Sequence, residues 1–197
     1  MAVVGVNNIA CIRGGRMLFS GLSFSLQPGE SLLLRGANGV GKSSLLRMLA
    51  GLLPCSHGRI ERPAHLALAD ENLALDSDKR LKDALGFWAQ MEGKGTQQRL
   101  ESAISHYALT PIADIPVRML STGQRKRAIL ARTLSSDASL WLLDEPGNGL
   151  DIASLEALGA AMRAHLAQGG AIIAASHFDL PHDFSLTINL AAQELHA

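Results

Sequence analysis

Apolar residues recur along the chain with two different periods, and the alternation between them sets the order of elements. Residues 2–12 read as a strand, and residues 18–26 place Phe19, Leu22, Phe24 and Leu26 at spacings that suit a second. Gln27-Pro28-Gly29-Glu30 is turn punctuation. Residues 31–35 centre on three leucines, a short apolar run of the kind buried on both faces. A glycine-rich stretch follows, and then Leu45, Leu46, Leu49 and Leu52 form the apolar stripe of a helix from about residue 43 to 52. From about residue 70 to 119 the chain is more polar and mostly helical, with Leu81, Leu85 and Trp88 on one predicted face and Leu100, Ile104 and Tyr107 on another. Gly93-Lys94-Gly95 separates the two. A further helix starts at Ser121 with Ile129, Leu130 and Leu134 on one side, and residues 140–143 and 171–175 are two more short apolar strands. Strands alternating with helices predict an α/β fold with a mainly parallel core sheet.

Composition narrows the functional classes. The 197 residues suit a single domain spanning 1–197, and 47% hydrophobic against 18% charged residues excludes a disordered or fibrous chain. The 18 basic and 18 acidic side chains cancel, and aromatics are only 4%, so neither a charged surface for nucleic acid nor a base-stacking platform is expected. No nucleic-acid partner is therefore anticipated. Cys11 and Cys55 cannot build a disulfide framework and read as small hydrophobes. The charge-free stretch 164–178 falls short of the roughly 20 residues of a spanning helix. The first 13 residues lack the charged start of a signal peptide, which points to a cytoplasmic chain.

The chemistry begins at Gly36-Ala37-Asn38-Gly39-Val40-Gly41-Lys42-Ser43, a full match to G-x-x-x-x-G-K-[ST] with a strand before it and a helix after it. The glycines let successive N–H groups point inward at phosphate oxygens, and the helix N-terminus adds free donors and a positive dipole end. Lys42 can reach the β- and γ-phosphates, and the Ser43 hydroxyl, followed by Ser44, can ligate Mg²⁺. A nucleoside triphosphate is the expected ligand. A GTPase would carry an Asn-Lys-x-Asp motif, and the sequence has no Asn-Lys pair.

Three later segments specify the class. Leu120-Ser121-Thr122-Gly123-Gln124 precedes a helix, Leu140-Trp141-Leu142-Leu143-Asp144-Glu145 is an apolar strand ending in two carboxylates, and His177 follows the next strand. In this order the segments resemble the ATP-binding cassette of ABC transporters over essentially the whole chain. The resemblance implies a P-loop NTPase of ABC type, with an antiparallel β subdomain and a short helical subdomain at roughly 70–120 beside the parallel core sheet. It implies ATP and Mg²⁺ as ligand and cofactor, with Asp144 in the Mg²⁺ shell, Glu145 as general base and His177 orienting the water. Ser121 can cap its helix, and Gly123 permits close approach to a phosphate. In this family the signature faces the ATP of a second cassette, and Asp151 of Gly149-Leu150-Asp151 matches the loop that crosses the interface. A head-to-tail homodimer driving membrane-spanning subunits is the implied working unit.

Thr122 replaces the signature's first glycine. Arg13 occupies the position of the aromatic that stacks on adenine, where it either lies over the base or is a surface arginine. Spacing places Glu71 where the family has a glutamine, leaving it able to reach Mg²⁺. The segments around Leu18-Phe19-Ser20-Gly21-Leu22, Asp114-Ile115-Pro116-Val117 and Leu130-Ala131-Arg132 through Pro146 look like the ATP-binding subunit of the haem exporter of bacterial cytochrome c biogenesis. That resemblance implies a peripheral place on the cytoplasmic face of the inner membrane. Another small exporter, or a soluble non-transport ATPase of the same family, stays open. Without Cys-x-x-Cys-His or a His-rich tract, direct haem binding is not expected. Arg125-Lys126-Arg127 reads as an exposed helix face.

Overall fold

The computed structural model describes residues 2–70, 75–91 and 97–190. Its centre is a five-stranded parallel sheet in the order β5-β6-β7-β3-β8, formed by β3 (Ser31–Arg35), β5 (Leu66–Ala69), β6 (Leu140–Asp144), β7 (Ala171–Ala175) and β8 (Leu186–Asn189). Beside it lies a three-stranded antiparallel sheet, β2-β1-β4, from β1 (Val4–Arg13), β2 (Arg16–Leu26) and β4 (His57–Glu61). The β1–β2 hairpin turns at Gly14-Gly15, so Arg13 stands opposite Arg16 at its tip.

Strand side chains alternate between faces, and each face of the parallel sheet has its own cover. Leu32, Leu34, Leu140, Leu142, Ile173 and Ala175 share a cluster with α1 (Lys42–Leu49) and with the apolar face of the antiparallel sheet, including Val4, Ile9, Leu22 and Leu26. Leu33, Trp141, Leu143, Ile172 and Ala174 belong to a second cluster with side chains from α2 (Leu81–Met91), α3 (Gln97–His106), α4 (Thr122–Ser135) and α5 (Ile152–Ala167). Burial on both faces is why the central strands are unbroken apolar runs.

Helix α1 ends at Leu49, and Leu52, assigned by its spacing to the stripe, lies beyond it and is exposed. Four elements escape the hydrophobic pattern. Strand β4 is mostly exposed and polar, β8 is a short edge strand, and β5 is four residues of Leu and Ala. Helix α5 is so rich in alanine that its buried face, Leu158, Gly159, Ala161 and Met162, has few large residues to mark it. Among the described residues no helix is long and apolar enough to cross a membrane.

Candidate active site

The sheet's register creates the site. Strand β7 lies between β3 and β6, pairing Leu34 with Ala175 and Ala175 with Asp144. The chain therefore leaves three adjacent strand ends as Gly36, Glu145 and Ser176. Open parallel sheets bind ligands outside the carboxyl ends of their strands, and these three exits are such a place.

The loop from β3 wraps into the N-terminus of α1. Val40 N–H donates to Ala37 O at 3.4 Å, closing a turn, and Gly41 caps α1 at a φ of 114°. A Cβ on Gly41 would meet the Phe19 ring at 3.1 Å, so both conformation and crowding require glycine there. No side chain caps α1, which leaves its first N–H groups facing the loop. Lys42, only 6% exposed, turns its ammonium back to donate to Gly36 O at 2.8 Å and Ala37 O at 3.3 Å. Leu18, Asn38, Gly39, Gly41, Lys42, Ser43, Ser44, Asp144 and Glu145 line one cleft of about 290 Å³.

The two carboxylates at the end of β6 differ in surroundings. Asp144 is half-buried; burial pushes its carboxyl above the ordinary range, the Asp70 and Glu145 charges add to the push, and a hydrogen bond from Ser43 opposes it. Ser43 and Asp144 thus present adjacent hard oxygen donors, a set suited to Mg²⁺. Glu145 takes a φ of 45°. Its N–H donates to Ala175 O at 2.9 Å, one carboxylate oxygen lies 3.9 Å from Lys42 Nζ, and the other accepts from His177 Nδ1 at 2.8 Å and from His177 N–H at 3.3 Å. Because a carboxylate only accepts, the ring donates from Nδ1 and leaves Nε2 for an incoming group. Lys42, Ser43, Asp144, Glu145 and His177 are brought together.

Residues 120–124 form a different surface. Ser121 N-caps α4: its Oγ accepts from Gln124 N–H at 3.2 Å while Gln124 Oε1 accepts from Ser121 N–H at 2.9 Å, a complete capping box. Leu120 is buried, Ser121 and Thr122 are exposed, and a Cβ on Gly123 would come within 3.4 Å of Gly149 O. Asp151 caps α5 by accepting from Ser154 N–H at 2.8 Å, and hydrogen bonds from the Ser154 hydroxyl and N–H hold its carboxyl below the usual range. The signature helix is tied to the carboxylate strand by Lys126, which is buried and donates to Asp144 O at 3.4 Å. The sequence reading placed Lys126 on an exposed face, but Lys126 turns inward while Arg125 alone of the three basic residues is exposed.

Arg13 is exposed at the hairpin tip and does not line the cleft; burial pushes the Cys11 thiol pKa up, and the Arg13 charge and the Ser44 hydroxyl oppose that push. Glu71 lies outside the described residues. Just before it, buried Asp70 accepts from Arg47 of α1 at 2.8 Å. Arg35, Asp70, Lys126 and Ser176 carry no motif, and the sequence reading gave none of them a role at the site.

A family model described as ABC transporter matches residues 19–148. The chain is 50% identical over 176 residues to the cytochrome c biogenesis ATP-binding export protein CcmA of Zymomonas mobilis, covering 89% of this chain and 79% of that one. It is 48% identical over 178 residues to the protein of the same name from Sphingopyxis alaskensis, covering 90% of this chain and 91% of that one. A solved ATP-binding subunit of an ABC transporter superposes with a TM-score of 0.83 at 22% identity, over 89% of this chain and 80% of that one, a likeness of fold.

Proposed function

The chain belongs to the ABC transporter family, as its ATP-binding cassette, and from that premise we propose that it is the ATP-hydrolysing subunit of the haem exporter of cytochrome c biogenesis. The observation that carries the ATPase reading is Glu145, held between Lys42 and His177 at the mouth of the phosphate loop. The name shared by relatives of about half identity supports the biogenesis role.

ATP enters a loop whose glycine backbone and α1 N-terminus supply N–H donors. Its β- and γ-phosphates replace Gly36 O and Ala37 O as partners of the Lys42 ammonium. Ser43 and Asp144 would hold Mg²⁺, which neutralises phosphate charge when bound. Glu145 accepts the proton of the attacking water while His177 fixes the carboxylate's direction. Ser121 and Gly123 face the nucleotide of a second copy, Asp151 lies near that interface, and Arg13 borders the base. Hydrolysis then opens a head-to-tail dimer seated on membrane-spanning subunits at the cytoplasmic face of the inner membrane.

The test is affinity capture of the full chain from detergent-solubilised membranes, with ATPase activity measured on what co-purifies. Haem-exporter membrane subunits, with hydrolysis lost in Glu145→Gln, are the expected result. A different permease would keep the mechanism and discard haem; ribosomes or DNA in place of a permease would overturn the transporter role.

A further inference from the structure

His177 is exposed, yet the turn that carries it is bound on every side. Ser176, immediately before it, is fully buried. Its Oγ donates to Phe178 O at 2.7 Å and accepts from Phe178 N–H at 3.2 Å, closing a small ring of bonds around His177. Its own N–H donates to Leu34 O at 3.3 Å. The Phe178 ring lies against Gly147, where a Cβ would stand 2.8 Å from the ring, so the loops after β6 and β7 are in direct contact.

One side chain joins this turn to the phosphate loop. Arg35 is the last residue of β3 and directly precedes Gly36. Its Nη1 donates to Ser176 O at 3.5 Å, and its Nη2 donates to the Asp179 carboxylate. Gly36 O accepts from Lys42, Lys42 faces Glu145, and Glu145 is bound by His177. The contacts form a closed circuit around the place where the terminal phosphate would lie.

We propose that Arg35, acting with Asp179, is a positioning residue that fixes the His177 turn relative to the phosphate loop and so aims Glu145 at the attacking water. The inference rests on the ATPase reading above. Its physical basis is geometric. The Asp179 side chain is 96% exposed, and an ion pair in that setting adds little to stability. A planar guanidinium spanning two acceptors, however, sets distance and direction together, which a lysine at the same place cannot do. Sub-ångström errors in a reacting group are expensive in rate, and a 1 Å displacement can cost about a hundredfold.

The experiment uses the full chain as Arg35→Gln, Arg35→Lys, Asp179→Asn and the Arg35→Gln/Asp179→Asn double variant. Steady-state kinetics should show kcat lower by about tenfold in each, with KM for ATP within about twofold and thermal midpoints unmoved. The double variant should be no slower than Arg35→Gln, since both substitutions break one link. A wild-type kcat in Asp179→Asn, or multiplicative losses in the double variant, would overturn the proposal. Independently of turnover, ¹⁵N-histidine spectra should show the Nδ1 resonance of His177 losing its carboxylate-bound position in Arg35→Gln. An unchanged resonance would also refute it. If the wild-type chain hydrolyses no ATP, the proposed function fails, and the imidazole spectrum still decides whether Arg35 positions His177.

Discussion

Glu145 occupies left-handed backbone at a φ of 45°, which residues other than glycine, asparagine and aspartate seldom adopt. Such a conformation costs on the order of 1–3 kcal/mol and persists only where its surroundings enforce it. Here the N–H bond to Ala175 O and the two bonds from His177 do so. The strain places the carboxylate over the loop rather than along the strand. Glu145→Gln keeps the shape and removes the proposed proton acceptor, so hydrolysis should fall by about 10²–10⁴-fold while ATP remains bound. Size-exclusion chromatography of this variant with ATP and Mg²⁺ should show a trapped dimer; a monomer under saturating nucleotide would contradict the head-to-tail arrangement. Gly41 makes the converse case. Gly41→Ala must adopt a φ of 114° and push its Cβ into Phe19. Urea denaturation should show a loss of about 1–3 kcal/mol, accompanied by weaker nucleotide binding because the α1 N-terminus shifts.

At the scale of elements, α4 shows one residue serving two ends. Ser121 completes a capping box with Gln124, and it is also exposed beside Gly123. Ser121→Ala should cost about 0.5–2 kcal/mol from the lost cap. Ser121→Asp should restore the cap, yet in the proposed head-to-tail dimer it sets a carboxylate against the phosphate of the second copy's nucleotide. Calorimetry should therefore find Ser121→Asp near wild-type stability, while ATP-dependent dimerisation is lost in it. Equal dimerisation in wild type and Ser121→Asp would remove Ser121 from the interface. The same helix shows what a sequence can and cannot reveal. Its start was legible because a cap is chemistry local to a few residues, as was the phosphate loop, where strand, glycines, lysine and helix are contiguous. Strand β3 was legible because burial on both faces leaves an unbroken apolar run. Lys126 was not, since its inward turn depends on Asp144 O, 18 residues further along. Arg35 and Ser176 are 141 residues apart, and only the pairing of β3 with β7 joins them. Helix α5 and strand β5 hid for another reason: small side chains pack closely but leave little periodic contrast.

Across the whole molecule, the two ends of the parallel sheet carry different burdens. The carboxyl ends of β3, β6 and β7 hold the phosphate loop, the carboxylates and His177. Near the opposite end, His165 of α5 stacks on Trp141 with ring centres 4.0 Å apart and lies 3.3 Å from Ala171 O. Gly170 makes room for it, since a Cβ there would fall 2.2 Å from the imidazole. Burial pulls the His165 pKa down from 6.5 to about 4, so the folded chain keeps this ring neutral where the unfolded chain would protonate it. Between those values the unfolded state binds more protons. Stability from this source is complete above about pH 6.5 and drains away as pH falls toward 4. His182 acts in the same direction, its pKa also lowered by burial. Asp144 acts in the opposite direction, because its raised pKa favours the folded state as acid is added. Asp114, held low by Lys82 and Arg80, and Asp151, held low by Ser154, lose their contributions only below the ordinary carboxylate value of 3.8. The two windows therefore separate. Urea midpoints measured from pH 7.5 to 4.5 should fall steadily in the wild type. His165→Phe, which keeps a ring over Trp141 and cannot titrate, should flatten much of that slope, leaving the part due to His182 less the opposing part due to Asp144. A slope identical to wild type would mean that His165 takes up its proton equally in the folded and unfolded chain, and the acid sensitivity would then have to come from His182.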